Sequence, residues 1–200
     1  MLSMVPKIIG LTGPIGAGKD EVAKILRRRG AFVIDADKIA HTLYSTQSEV
    51  WQEIVRVFGS RILNRGGKVN RKKLGEIVFS DKAKLRQLNK IIHPFLKEAI
   101  IQMVEEVKVR SSELGVRSIV VNAAVLKEIG LVGYVDEVRV VMASKEKRLR
   151  RLLKSGLSKT EAEQRLRSQM SKKEYLKLAD VVIDNDGTLK GLRKKVLSLI

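Results

Sequence analysis

Residues 7–35 read KIIGLTGPIGAGKDEVAKILRRRGAFVID, and the reading of this stretch decides the fold. KIIGLT is a short apolar run of the kind that makes a fully buried strand. GPIGAGKD, residues 13–20, follows it directly. Gly13, four residues, Gly18 and Lys19 fit a phosphate-binding loop, with Asp20 where that loop ordinarily carries Ser or Thr. DEVAKILRRRG then places Val22, Ile25 and Leu26 on one helical face, with Gly30 as a C-cap. AFVID is a second strand ending at Asp35. Strand, glycine loop, helix, strand is the βαβ unit that such a loop requires.

The chemistry of the loop follows from its residue types. Gly13, Gly16 and Gly18 free the backbone to curl its N–H groups around phosphate oxygens, and Pro14, Ile15 and Ala17 complete the turn. The helix that follows offers its N-terminal dipole, and Lys19 adds a mobile charge near the outer phosphates. Asp20 is the departure. A carboxylate is a harder oxygen donor than a hydroxyl and suits magnesium, yet it sets a negative charge beside a triphosphate. The expectation is a working nucleotide site with a strong dependence on metal; the competing reading is a loop that keeps the shape without the chemistry.

The rest of the chain is consistent with one α/β domain. Its 200 residues suffice for a real core, and 44% hydrophobic residues argue against disorder. There is no cysteine, so disulfides and thiolate metal sites are excluded and a reducing cytoplasm is expected. The N-terminal MLSMVPK is too short and too polar for a signal peptide, and no run is long enough to cross a bilayer. Charge is the outlier, with 40 Lys and Arg against 22 Asp and Glu, a formal +18. Ser144–Lys173 alone holds eleven basic residues and three Glu. Such an excess favours polyanionic partners, or else makes a solvated, ion-paired helical surface.

Lys38 to Arg110 reads as almost all helical. NRGGKVN interrupts it as a turn, Asn70 caps the next helix, and His93-Pro94 marks a break. RSIVVNA and EVRVVMA are the third and fourth strands, DVVID is the fifth, and a helix from about Leu189 closes the chain. Between Ser144 and Lys177 lie three helical pieces, two of them opened by capping boxes, Ser158 with Glu161 and Ser171 with Glu174. The expected architecture is a P-loop NTPase-type three-layer fold. Its core, residues 5–37, 116–143 and 179–200, carries a five-stranded parallel sheet. A helical substrate lobe spans about 38–110 and a helical lid about 144–177. In VIDADKIAH, Asp35 and Asp37 stand at the end of the second strand, where α/β sheets place ligands. They suit proton acceptance and metal holding, and either one alternatively caps the helix starting near Lys38.

These residues resemble one family, the dephospho-CoA kinases. The resemblance rests on IIGLTGPIGAGKD, GAFVIDADKIAH, LNKIIHPFLKEAI, AEQRLRSQ and ADVVIDNDG, and so runs over nearly the whole chain. It implies transfer of phosphate from ATP, with Mg2+, to the ribose 3′-hydroxyl of dephospho-CoA. It implies Asp37 as catalytic base and Asp35 in support of it or of the metal. Asp35 joins Asp20, already read as a metal ligand from the loop itself, in the expected metal set, and Lys19 and Arg151 are the catalytic cations. Arg71, His93 and Glu128 are implied on the acceptor side, His93 alternatively serving structure alone as a lone histidine before proline, and Asn185 and Gly187 at the adenine. Two further departures stand beside Asp20. AVLKE, Ala124 to Glu128, replaces a Pro-Leu-Leu segment and keeps Leu126 and Glu128. Ser155 stands four residues after Arg151, where the family lid has a second arginine, so that Arg148, Arg150 or Lys154 would substitute. ATP and dephospho-CoA are then the expected partners, with no membrane, no specific nucleic acid and a monomeric state.

Two rival readings use the same residues. One keeps the kinase and changes the acceptor to a nucleoside, nucleotide or other small alcohol. The other makes the chain a basic nucleic-acid-binding protein with a degenerate nucleotide loop. The scarcity of aromatic residues, four Phe, three Tyr and one Trp, speaks against stacking platforms for single strands.

Overall fold

The computed structural model describes residues 5–200; Met1–Met4, and with them most of the segment tested for a signal peptide, lie outside it. Five strands form one all-parallel sheet: β1 (Lys7–Thr12), β2 (Ala31–Asp35), β3 (Ser118–Asn122), β4 (Glu137–Met142) and β5 (Val181–Asp184). They lie in the order β2-β3-β1-β4-β5. Burial follows this order. β1 is buried from Ile8 to Thr12, whereas β5 at the edge buries Ile183 alone. A strand covered on both faces tolerates no polar alternation, which is why KIIGLT reads as a continuous apolar run.

Helices α1 (Lys19–Arg27) and α10 (Leu189–Leu197) pack together on one face of the sheet. Val22, Leu26, Leu192 and Val196 meet Ile9, Leu11, Val120, Val141 and Ile183 there. The alternate residues of β1 face the other way, where Gly10 leaves room for Leu126 and Val135 of the segment after β3. Chain leaving β1 passes to β2 on one side, and chain leaving β3 crosses to β4 on the other. This reversal puts the topological switch point at the C-terminal end of β1, the usual place for a ligand in such sheets.

Two compact units make up the chain, Ala36–Ile101 and the remainder. The first contains α2 (Ala36–Leu43), α3 (Glu49–Phe58), a 3-10 turn (Ser60–Ile62), α4 (Arg71–Phe79) and most of α5 (Lys82–Val109). Asn70 caps α4 by accepting from the Lys73 N–H at 3.1 Å, and NRGGKVN is a turn closed by Asn64, as the residues imply. The expected break at His93-Pro94 does not occur. α5 continues through Pro94 for 28 residues. Proline removes one helical hydrogen bond, but Leu88, Ile92, Leu96, Ile100, Val104 and Val107 form a buried stripe on both sides of it, and Pro94 itself is exposed. Burial of that stripe outweighs the lost bond.

The second unit also holds α6 (Ser111–Leu114) and three helices that follow β4: α7 (Lys145–Lys154), α8 (Lys159–Arg167) and α9 (Lys172–Leu178). Ser158 with Glu161 and Ser171 with Glu174 form the two capping boxes in full. Among the described residues no helix is long and apolar enough to cross a membrane.

Candidate active site

The glycine loop turns at the C-terminal end of β1 and runs into α1. All three of its glycines are demanded by space as well as backbone; Gly16, at φ +74°, would set a Cβ 2.9 Å from the Arg148 carbonyl oxygen of α7. Gly13 has φ +143°, and a Cβ there would lie 2.2 Å from the Val141 carbonyl oxygen of β4. Gly18 has φ +97° and caps α1 in the left-handed region; a Cβ there would lie 2.3 Å from Asn185 Nδ2. The loop is therefore pressed against the sheet on one side and the segment after β5 on the other.

Its carbonyls are held from outside. Arg151 of α7 donates from Nη1 to the Gly16 and Ala17 carbonyls, at 2.9 and 3.0 Å, and from Nη2 to the Asn185 carbonyl at 3.0 Å. Buried Asn185 adds a bond from Nδ2 to the Ala17 carbonyl at 2.7 Å. A trans peptide sets its N–H opposite its C=O, so fixing the Ala17 carbonyl turns the Gly18 N–H to the other side of the loop. Positive φ and outward carbonyls are how a backbone makes an anion nest. Lys19 reaches back along the loop, with Nζ 3.1 Å from the Gly13 carbonyl.

The segment after β4 contributes more than Arg151. Gln169, between α8 and α9, accepts the Ile15 N–H on its Oε1 at 2.8 Å. Asp186 accepts the Ser144 N–H at 2.9 Å, joining the start of α7 to the loop after β5, and that bond holds its carboxyl below the usual carboxylate range. Arg148 is half-buried with Nε unpartnered, and burial lowers its pKa. Tyr175 of α9 is buried, which pushes its hydroxyl up to about 12, with Glu128 adding to the rise and Arg148 opposing it.

The remaining sequence candidates take these places. Asp20 lies exposed in the first turn of α1, where its Oδ1 accepts from Asn122 Nδ2 at 3.0 Å. Asp35 ends β2, half-buried, in register with Asn122 at the end of β3. Glu128 is exposed in the turn after β3, and Gly187 is exposed after β5. In the other unit, Asp37 is exposed in the first turn of α2, Arg71 opens α4, and half-buried His93 lies within α5. Tyr44 of that unit has its pKa raised by burial, with the charge of Arg71 opposing the rise. No group of three or more His, Cys, Asp or Glu gathers to hold a metal ion among the described residues. The oxygen donors at the loop, the Asp20 carboxylate and the orphaned Asn122 Oδ1, instead suit a cation brought by phosphates.

The dephospho-CoA kinase family profile matches residues 7–191, from the start of β1 into α10. The chain belongs to the dephospho-CoA kinase family. A dephospho-CoA kinase of Carboxydothermus hydrogenoformans is 39% identical over 198 residues, 98% of this chain and 94% of that protein. A Thermus thermophilus protein of solved structure matches with a TM-score of 0.77 and 32% identity, covering 97% of this chain and 96% of that one. The dephospho-CoA kinase from Campylobacter jejuni matches with a TM-score of 0.68 and 28% identity, covering 96% and 94%.

For this dephospho-CoA kinase family member, sequence reading missed Asn122 and Gln169. Asn122 had a weak signal, a polar residue closing an apolar strand. Gln169 stands in AEQRLRSQ with nothing local to mark it, because its partner is 154 residues away.

Proposed function

We propose that this chain transfers the γ-phosphoryl group of ATP to the 3′-hydroxyl of the ribose of dephospho-CoA, giving CoA and ADP. The observation that carries the reading is the glycine loop at the switch point of the sheet, its carbonyls turned outward by Arg151 and Asn185, in a chain of this family. The loop N–H groups that Gln169 and Pro14 leave unengaged and the α1 N-terminus bind the phosphates, and Lys19 supplies countercharge to the outer ones. The ribose 3′-oxygen attacks the γ-phosphorus as the bond to the bridging oxygen of ADP breaks. Asp37 takes the hydroxyl proton, with Asp35 in support.

Arg151 acts by shaping the loop, and Arg148, Arg150 or Lys154 supplies the second lid charge. Arg71, His93 and Glu128 bind the acceptor, and Asn185 and Gly187 border the adenine. Mg2+ is the expected metal, held by Asp20 and Asp35, and it neutralises charge on the phosphate oxygens. Both substrates are small and cytoplasmic, and the protein works there as a monomer with no nucleic acid. ADP release with dephospho-CoA, compared with shikimate, adenosine and no acceptor, tests the reading. Turnover that demands dephospho-CoA supports it; equal turnover with another alcohol replaces the acceptor. Asp37→Asn is expected to lower kcat by about 10²–10⁴-fold with ATP affinity kept, as loss of a general base does.

A further inference from the structure

Asn122 closes β3 with Leu11 of β1 beside it on one side and Asp35 of β2 on the other. It is 7% exposed, yet its amide reaches out of the sheet to Asp20, 102 residues earlier in the chain. The orientation of that amide is set by chemistry. A carboxylate only accepts, so Asn122 turns its NH2 to Asp20 and its oxygen the other way. Oδ1 is thereby left buried without a protein partner, a state that native proteins complete with water, an ion or a ligand.

In phosphate-loop enzymes the nucleotide's cation is held by a hydroxyl from the loop and a carboxylate from elsewhere in the fold. This chain has a carboxylate on the loop, Asp20, and a neutral amide facing it from the neighbouring strand end, Asn122. We propose that Asp20 and Asn122 are an exchanged pair, carrying the same formal charge as the usual hydroxyl and carboxylate with the two roles swapped between loop and strand. Asn122 is the positioning residue. Its Nδ2 fixes the Asp20 carboxylate, and its Oδ1 accepts from the hydration shell of the divalent cation that accompanies the nucleotide. Magnesium retains several waters when bound, so a buried acceptor beside the Asp20 carboxylate suits it. The pairing also explains why the strand end is neutral: a second carboxylate 3.0 Å from Asp20 Oδ1 would set two like charges in contact. The inference rests on the reading of the chain as a kinase that uses ATP with a divalent cation.

The test is calorimetric binding of ATP with and without Mg2+, and Mn2+ occupancy followed by paramagnetic resonance. The proteins are the wild type, Asp20→Ser, Asn122→Asp and the double variant. Asp20→Ser is expected to cut the affinity gained from the cation by about tenfold, the scale of losing one close charge partner. Asn122→Asp is expected to weaken cation-free ATP binding by a similar factor of about ten. The double variant restores both quantities to within about threefold of wild type, because the two changes are coupled. Losses that simply add in the double variant overturn the pair, as does an Asp20→Ser protein with unchanged cation dependence. Where Asn122→Asp does not fold, the double variant is compared with Asp20→Ser alone: recovery supports the pair and its absence overturns it. Wild-type protein that binds no ATP at all would instead overturn the kinase reading.

Discussion

At the scale of single residues, the loop is defined by what cannot be added to it. Gly18→Ala puts a Cβ into Asn185 and asks alanine to hold φ +97°, so a cost of about 1–3 kcal/mol is expected, with weaker ATP binding. Gly13→Ala is expected to be worse, because the atom it meets, the Val141 carbonyl oxygen, is backbone and cannot swing away. Thermal unfolding and ATP titration measure both. Arg151→Lys keeps the charge and loses the fork. One ammonium cannot reproduce two nitrogens that reach three carbonyls, so a loss of about 1–3 kcal/mol is expected, read as a raised KM for ATP and a lower Tm. Gly13, Gly18, Lys19 and Asp20 were legible because their spacing is local. Asn122 and Gln169 were not, because what they touch is set by how the sheet and the α8–α9 segment close on the loop.

At the scale of elements, periodicity and most caps were legible, although α1 is capped at Arg28 and Gly30 follows two residues later. The five strands, the Asn70 cap and both capping boxes stand where their residues place them, since each depends on neighbours within a few positions. α5 differs because a stripe of buried residues spaced along 20 positions overrides one proline. Pro94→Ala is accordingly expected to stabilise the protein by about 1–3 kcal/mol, since it restores the bond to the Lys90 carbonyl in an exposed stretch of helix; urea unfolding measures it. α9 carries a pH dependence of its own. Tyr175 ionises in the unfolded chain near its ordinary value of 10 but in the fold only at about 12. Its share of stability is thus fully present below pH 10 and lost as pH rises towards 12. The decline in unfolding free energy over that window is expected to be shallower in Tyr175→Phe than in wild type.

At the scale of the molecule, the sequence showed that the chain is strongly basic but left the use of that charge open. Several of its ion pairs are exposed i,i+3 contacts such as Lys24–Glu21 and Arg56–Glu53, which contribute little and leave the +18 excess in place. Family membership turns that excess toward phosphorylated small molecules. kcat/KM for both substrates is expected to fall as salt rises from low to physiological strength, with kcat nearly constant, because screening acts on encounter. Stopped-flow or steady-state rates across a salt series measure it. The measurement that bears most directly on the whole account is phosphorus NMR of the products from ATP, Mg2+ and dephospho-CoA. The expected spectrum contains ADP and a new ribose 3′-phosphomonoester in equal amounts. ADP with inorganic phosphate and unchanged dephospho-CoA would contradict it, leaving a nucleotide site that does not serve this acceptor.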